Sequence, residues 1–191
     1  RRGDVRATAS GAETARFDEA REALVTMLDQ MVEEGNHEAS VILFGHRLAW
    51  DGSDEPQLME QTAYLEQTLG FGALAGLMPG DDVELIRPLG PLGAAELAVI
   101  SERLNVAHPW GESPLYFALV KALDGYSGRR NSANSGIVVL TDGRNRQWLA
   151  RNRWTRDNLS KLIESSPVPI HIVSYGLSPE GSGSAETELA E

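Results

Sequence analysis

The chain has 191 residues, of which 41% are hydrophobic and 24% charged, and its formal net charge at pH 7 is −11. This balance is typical of a soluble globular domain that can bury a core, and the negative charge argues against generic binding of nucleic acid, whose phosphates it would repel. The absence of cysteine excludes disulfides, thiol catalysis and cysteine-ligated zinc.

The hydrophobic pattern predicts helices that alternate with strands. In chain order the predicted elements are a helix between the N-cap Thr14 and the stop Gly35, a strand at 39–44, a further helix at 57–69, a strand at 82–86, helices at 94–104 and 114–123, a strand at 137–140, a helix that ends at 165, and a strand at 168–175. This alternation favours an α/β fold with a mostly parallel central sheet flanked by helices.

The predicted organisation is one main domain with polar ends. Residues 1–13 form a polar N-terminal segment, and residues 14–178 form the domain. Residues 51–80 are turn-rich and then glycine-rich, and are interpreted as an insertion within it. Residues 179–191 are predicted to be a linker followed by the first turns of a helix.

The strand at 137–140 gives the strongest single signal in the sequence. It reads Ile-Val-Val-Leu and is followed by Thr141, Asp142 and Gly143. Four consecutive apolar residues are typical of a strand covered by helices on both faces. Asp142 follows at the carboxyl end of this strand, where open α/β sheets bind their ligands. Two interpretations stay open: a metal ligand, or the start of an Asp-Gly turn.

A second polar loop precedes the predicted helix at 114–123 and reads Gly111-Glu112-Ser113-Pro114. Ser113 is either a hydroxyl ligand for a metal ion or the N-cap of that helix, since serine before a first-turn proline is a frequent helix start. Glu112 is either part of a partner-binding surface or a solvated loop charge. His46 is interpreted as a loop or packing residue, because no second histidine clusters with it.

Four segments in this order, at 16–24, 41–46, 111–115 and 138–143, resemble the von Willebrand factor A family, in its bacterial form. The resemblance implies a Rossmann-like sheet with a metal-ion-dependent adhesion site on its upper edge. Such a site holds Mg²⁺ through three loops and leaves one coordination position for an acidic residue of a partner protein. Hydroxyl and carboxylate oxygens suit this hard cation.

The resemblance implies that Asp142 and Ser113 are two metal ligands of this chain. The third loop of the family, Asp-x-Ser-x-Ser, falls on Thr8-Ala9-Ser10-Gly11-Ala12, so Ser10 is the third candidate and Thr8 stands in place of the first aspartate. Two explanations stay open. The metal site is degenerate, or the chain is truncated at both ends and the first strand lies upstream.

The predicted function is a non-enzymatic protein–protein interaction module that uses Mg²⁺. The sequence carries no cysteine nucleophile, no Gly-x-Ser-x-Gly elbow, no Walker A loop and no His-Glu-x-x-His motif. The alternative is a metal-independent scaffold that binds an acidic partner through the Arg/Trp-rich segment 144–156. In either case Glu112, Arg144, Arg146 and Trp148 are candidate partner contacts. Membrane insertion and nucleic-acid binding are not expected. The lack of cysteine and of a visible signal peptide favours the cytoplasm.

Overall fold

The computed structural model describes residues 11–48, 74, 76–109, 111–126, 135–141, 145, 147, 154–166 and 168–174, with the backbone alone for residues 11–15. These ranges contain helices and strands in alternation, which confirms the prediction of a mixed α/β fold. In chain order they are α1 (Gly11–Glu34), β1 (Glu38–Phe44), a 3-10 turn (Pro79–Asp81), β2 (Val83–Pro91), α2 (Ala94–Asn105), α3 (Leu115–Tyr126), β3 (Ile137–Thr141), α4 (Arg156–Glu164) and β4 (Ile170–Ser174).

The first helix shows where local sequence signals succeed and where they fail. Its end is as predicted, because Gly35 adopts a φ of 73° and donates its N–H to the Met31 carbonyl at 3.1 Å. Its start is not, since the helix begins at Gly11 and Thr14 lies inside it. Alanine and glutamate between these positions favour helix, which explains the earlier start. The predicted helix at 57–69 and the helical turns near the C-terminus lie outside the described residues.

The strands form two pairs of opposite kind. β3 and β4 are parallel and in register, from Ile137 beside Ile170 to Thr141 beside Ser174. β1 and β2 are antiparallel, with Phe44 beside Val83, and the described strands therefore form two two-stranded sheets. The expected parallel arrangement thus holds for β3 and β4 alone. β2 is antiparallel to β1 because β2 begins beside the end of β1. At that point Gly45 N donates a hydrogen bond to the Asp82 carbonyl at 2.8 Å.

A hydrophobic cluster joins α1 and α2 to the β1–β2 pair. Leu28 of α1 and Ile100 and Leu104 of α2 are buried against Ala39 and Val41 of β1. Removing a large aliphatic side chain from water stabilises the fold by about 1.5–3 kcal/mol. This cluster therefore fixes the position of β1, and with it the loop that follows β1.

A second cluster joins α3 and α4 to the β3–β4 pair. Leu115 and Leu119 of α3, Val139 of β3 and Leu159 of α4 are buried together. Phe44, the last residue of β1, also packs against this cluster. The end of β1, the start of α3 and the strand β3 are thus held near one another. Among the helices that the structure describes, none combines the length and the apolar character of a membrane span.

Candidate functional site

Two loops meet closely where β1 ends and where α3 is about to begin. Gly111 donates its N–H to the Gly45 carbonyl at 3.1 Å. A Cβ atom on Gly45 would overlap the carbonyl oxygen of Glu112, and one on Gly111 would lie 2.7 Å from the Leu48 carbonyl oxygen. Both positions therefore require glycine, because any side chain would push the two backbones apart. This contact fixes the loop 111–114, which carries Ser113.

A third segment, the one that follows β3, reaches the same place. The side-chain carbonyl Oδ1 of Asn145 accepts a hydrogen bond from Tyr116 N in the first turn of α3, at 3.0 Å. Thr141, the last residue of β3, is buried. Residues 45–48, 111–114, 145 and 147 are called the loop junction below. Residues on three different segments of the chain thus meet at the start of one helix.

The predicted site residues differ in what the structure shows of them. Ser113 is half-buried in the loop junction, and its carbonyl accepts a hydrogen bond from Leu115 N at 2.8 Å. Glu112 is 8% exposed, so the interpretation as a solvated loop charge is wrong: the contact with Gly45 draws its backbone inward. The other predicted residues lie outside the described part of the chain, and they are Ser10, Asp142, Arg144, Arg146 and Trp148.

A fully buried carboxylate holds the loop that follows β1. Asp82 is 0% exposed and accepts three hydrogen bonds, from Arg47 N at 2.6 Å, from Arg47 Nε at 2.6 Å and from Leu48 N at 3.1 Å. A buried charge is tolerated only when it is paired and hydrogen-bonded, as it is here. Asp82 therefore acts as a structural anchor of the loop junction.

His46 lies beside a second charged group. It is 1% exposed, and its Nε2 lies 2.8 Å from Glu84 Oε2. Arg103 of α2 donates to both oxygens of the same carboxylate, at 2.9 and 2.8 Å. Burial by itself would raise the pKa of Glu84, but the interactions with His46 and Arg103 outweigh it and lower that pKa from 4.5 to about 2. The interpretation of His46 as a packing residue agrees with this burial.

The sequence predicts a metal site made of hard oxygen ligands. Within the described ranges, no group of three or more His, Asp or Glu side chains is placed to hold a metal ion. The predicted site is of another kind, since it combines the hydroxyls of Ser113 and Ser10 with the carboxylate of Asp142. Only Ser113 of these three is described, and its half-buried position at the start of α3 is compatible with such a site.

Sequence patterns missed the residues that hold the loop junction in place. Asp82 was predicted only as the first residue of the strand at 82–86, and Glu84 as a polar residue within it. Asn145 lies two residues after the Asp142-Gly143 pair in the sequence, which is a weak signal that this polar segment has a specific partner. No local pattern names that partner. Comparison of the chain with protein-family models, with curated proteins and with solved structures finds no match.

Proposed function

We propose that this chain is a protein-interaction module similar to von Willebrand factor A domains, which binds its partner at the loop junction with the help of Mg²⁺. The proposal includes a fold in which the β2–β1 and β3–β4 pairs belong to one Rossmann-like sheet. The packing of Phe44 against the cluster of β3 and α3 supports this fold, because it brings the two pairs together at one edge.

The observation that carries the proposal is the hydrogen bond from Tyr116 N to Asn145 Oδ1. It ties the segment after β3 to the helix that begins just after Ser113. Asp142 lies between β3 and Asn145 in the sequence, three residues before Asn145. Two loops that the sequence predicts to carry metal ligands are thus linked through residues three positions from those ligands.

The oxygen atoms offered at the loop junction fit a hard divalent cation. The Ser113 carbonyl accepts a hydrogen bond from Leu115 N, and the Ser113 hydroxyl is the oxygen proposed to bind the ion. In this proposal Ser113 and Asp142 hold Mg²⁺, and Ser10 is the third candidate. Bound there, Mg²⁺ offers a coordination position that an acidic residue of the partner can fill. The few ligand charges predict modest affinity.

Calorimetric titration of the full chain with Mg²⁺ tests the proposal. We expect a binding signal from the unchanged chain, and a loss of affinity of at least about tenfold in Ser113→Ala and in Asp142→Asn. Matched controls are Ser160→Ala on α4 and Asp29→Asn on α1, two exposed positions away from the loop junction. Both controls should bind Mg²⁺ as the unchanged chain does. The absence of any Mg²⁺ binding to the unchanged chain overturns the metal-dependent function.

The metal-independent alternative gives a different result. Binding through the segment 144–156 depends on its arginines and on an acidic partner, for which poly-glutamate serves as a probe. If the alternative is right, poly-glutamate binds equally well with and without EDTA, and Arg144→Ala together with Arg146→Ala weakens it. If the Mg²⁺-dependent proposal is right, EDTA removes the binding.

A further inference from the structure

Arg47 is a cation of the loop junction, and one buried carboxylate holds it at two points. Asp82 Oδ2 accepts a hydrogen bond from the backbone N–H of Arg47 at 2.6 Å, and Asp82 Oδ1 accepts one from Arg47 Nε at 2.6 Å. The Arg47 side chain is 16% exposed and the Asp82 side chain 1%. Because the guanidinium group is planar, the bond at Nε also constrains the rest of the group. Arg47 is therefore held in place before any partner binds.

The contact with Asp82 uses only part of the Arg47 side chain. A guanidinium group has five N–H donors, one on Nε and four on the two Nη atoms. Among the described residues, the Nη atoms of Arg47 have no hydrogen-bond partner, and they are not among the buried polar atoms that lack one. The Nη atoms therefore keep access to solvent. Together they form the end of the guanidinium fork, which can donate to both oxygens of a carboxylate.

Arg47 lies in the loop that packs against the loop before α3. The Gly45 carbonyl accepts a hydrogen bond from Gly111 N at 3.1 Å, and a Cβ atom on Gly111 would lie 2.7 Å from the Leu48 carbonyl oxygen. Residues on both sides of Arg47 in the sequence thus contact Gly111, which is exposed. A ligand bound to Arg47 would therefore lie at the loop junction, where the proposed function places the partner.

The surrounding charges favour a carboxylate over a phosphate as the ligand. Arginine forks bind both groups. Asp82 contacts Arg47, the facing loop carries the acidic residue Glu112, and the formal net charge of the chain is −11. Nearby negative charges repel a doubly charged phosphate more strongly than a singly charged carboxylate. An acidic side chain of a partner protein is thus the ligand that fits Arg47.

We propose that Arg47 binds a carboxylate of the partner through its two Nη atoms, while Asp82 holds Nε and positions the group. This inference rests on the part of the proposed function that places an acidic partner at the loop junction, and it does not make Arg47 a ligand of Mg²⁺. Because Asp82 already fixes the side chain, little rotamer freedom is lost on binding. A charge-assisted pair of this kind changes affinity by about 10-fold or more.

NMR of the arginine side chains tests the contact in the full, unchanged chain, with a short poly-glutamate peptide as the probe and Mg²⁺ present. We expect the Nη–H signals of Arg47 to shift and sharpen when the peptide is added, because a bidentate contact slows rotation of the Nη groups. The Nε–H signal should change little, since Asp82 keeps that donor. Nη signals that do not respond overturn the inference. A stronger response to inorganic phosphate overturns the assignment of a carboxylate.

The affinity for the same peptide gives a second test with Arg47→Lys, which keeps the positive charge but not the fork. We expect binding to weaken by about 10-fold, while the affinity for Mg²⁺ alone stays the same. The matched control is Arg21→Lys on α1, where the arginine pairs with Asp18 at 3.0 Å. Equal peptide affinity in Arg47→Lys and in this control contradicts the inference. If Arg47→Lys does not fold, the NMR measurement on the unchanged chain decides.

The outcomes separate the inference from the proposed function. If the chain binds Mg²⁺ and the peptide but Arg47 does not respond, the inference alone fails. If the chain binds no Mg²⁺ and peptide binding still depends on Arg47, the metal-dependent function fails and the inference stands. If the peptide binds neither with nor without Mg²⁺, both fail. Binding that depends on Arg144 and Arg146 but not on Arg47 supports the metal-independent alternative and overturns the inference.

Discussion

The contact between Gly45 and the loop 111–114 predicts an unusually costly substitution, Gly45→Ala. Two separate effects act at this position. The φ of Gly45 is 68°, in the left-handed region, where a side chain costs about 1–2 kcal/mol. In addition, the new methyl group would overlap the Glu112 carbonyl oxygen, and forcing atoms into a packed site costs about 1–3 kcal/mol. The free energy of unfolding should therefore fall by about 2–5 kcal/mol.

Two other glycines separate these effects. Gly35 has a φ of 73° but nothing within 4 Å of its added Cβ, so Gly35→Ala measures the backbone cost alone, about 1–2 kcal/mol. Gly111 has no positive φ, but its added Cβ would lie 2.7 Å from the Leu48 carbonyl oxygen and 2.9 Å from the Gly45 carbonyl oxygen. Gly111→Ala thus measures the packing cost alone, about 1–3 kcal/mol.

Urea unfolding followed by circular dichroism gives the free energy of unfolding for all three variants. We expect Gly45→Ala to lose more stability than Gly35→Ala, by roughly the loss seen in Gly111→Ala. Equal losses in Gly45→Ala and Gly35→Ala would show that the loop 111–114 does not contact Gly45. The geometry of the loop junction would then be wrong.

Three further substitutions test the charged anchors and the core. The pKa of Glu84 is lower in the folded chain than the ordinary 4.5, so its stabilisation is full above pH 4.5 and is lost as the pH falls toward 2. Glu84→Gln should therefore lower the free energy of unfolding by up to about 3 kcal/mol at pH 7. Between pH 5 and 2 its stability should decline less steeply than that of the unchanged chain. The exposed control Glu102→Gln should decline as the unchanged chain does. Asp82→Ala leaves the half-buried Arg47 side chain and two backbone N–H groups without their acceptor, and should cost about 3–5 kcal/mol in urea unfolding. A loss below about 1 kcal/mol would contradict the role of Asp82 as an anchor. Leu119→Ala, at a residue only 2% exposed, should lower the free energy of unfolding by about 2–5 kcal/mol. The control Val99→Ala, at a residue 61% exposed, should change it by less than about 0.5 kcal/mol. Similar losses in the two variants would place Leu119 outside the core.

Elements with a clear local period were predicted closely. The apolar run of β3 was predicted at residues 137–140 and is found at Ile137–Thr141, and α2 was predicted at 94–104 and is found at Ala94–Asn105. Such signals succeed because alternation and helical spacing depend on neighbours in the sequence. The start of α1 was missed because Thr14, a good N-cap, also fits within a helix. The antiparallel direction of β2 relative to β1 was not predicted, because strand pairing depends on the path that the chain takes between the two strands.

The candidate site was predicted in part and for a similar reason. Ser113 was recognised from the proline that follows it, and the structure places it at the loop junction. Glu112 was interpreted as solvated because a charged loop residue usually is, and only the close contact with Gly45 buries it. The role of Asp82 depends on donors 34 and 35 residues away in the sequence. No short pattern could have linked them.

By itself the sequence determined the α/β class, the order of the elements and the two polar loops that are worth testing, because each of these follows from the chemistry of a few adjacent residues. The tertiary structure alone decided which loops meet. Gly45 against the loop 111–114 and Asn145 against the start of α3 are contacts between distant segments, and the two hydrophobic clusters position the elements that carry them. The partner of Tyr116 N at the start of α3 is likewise decided by packing, since it is a side chain 29 residues further along the chain.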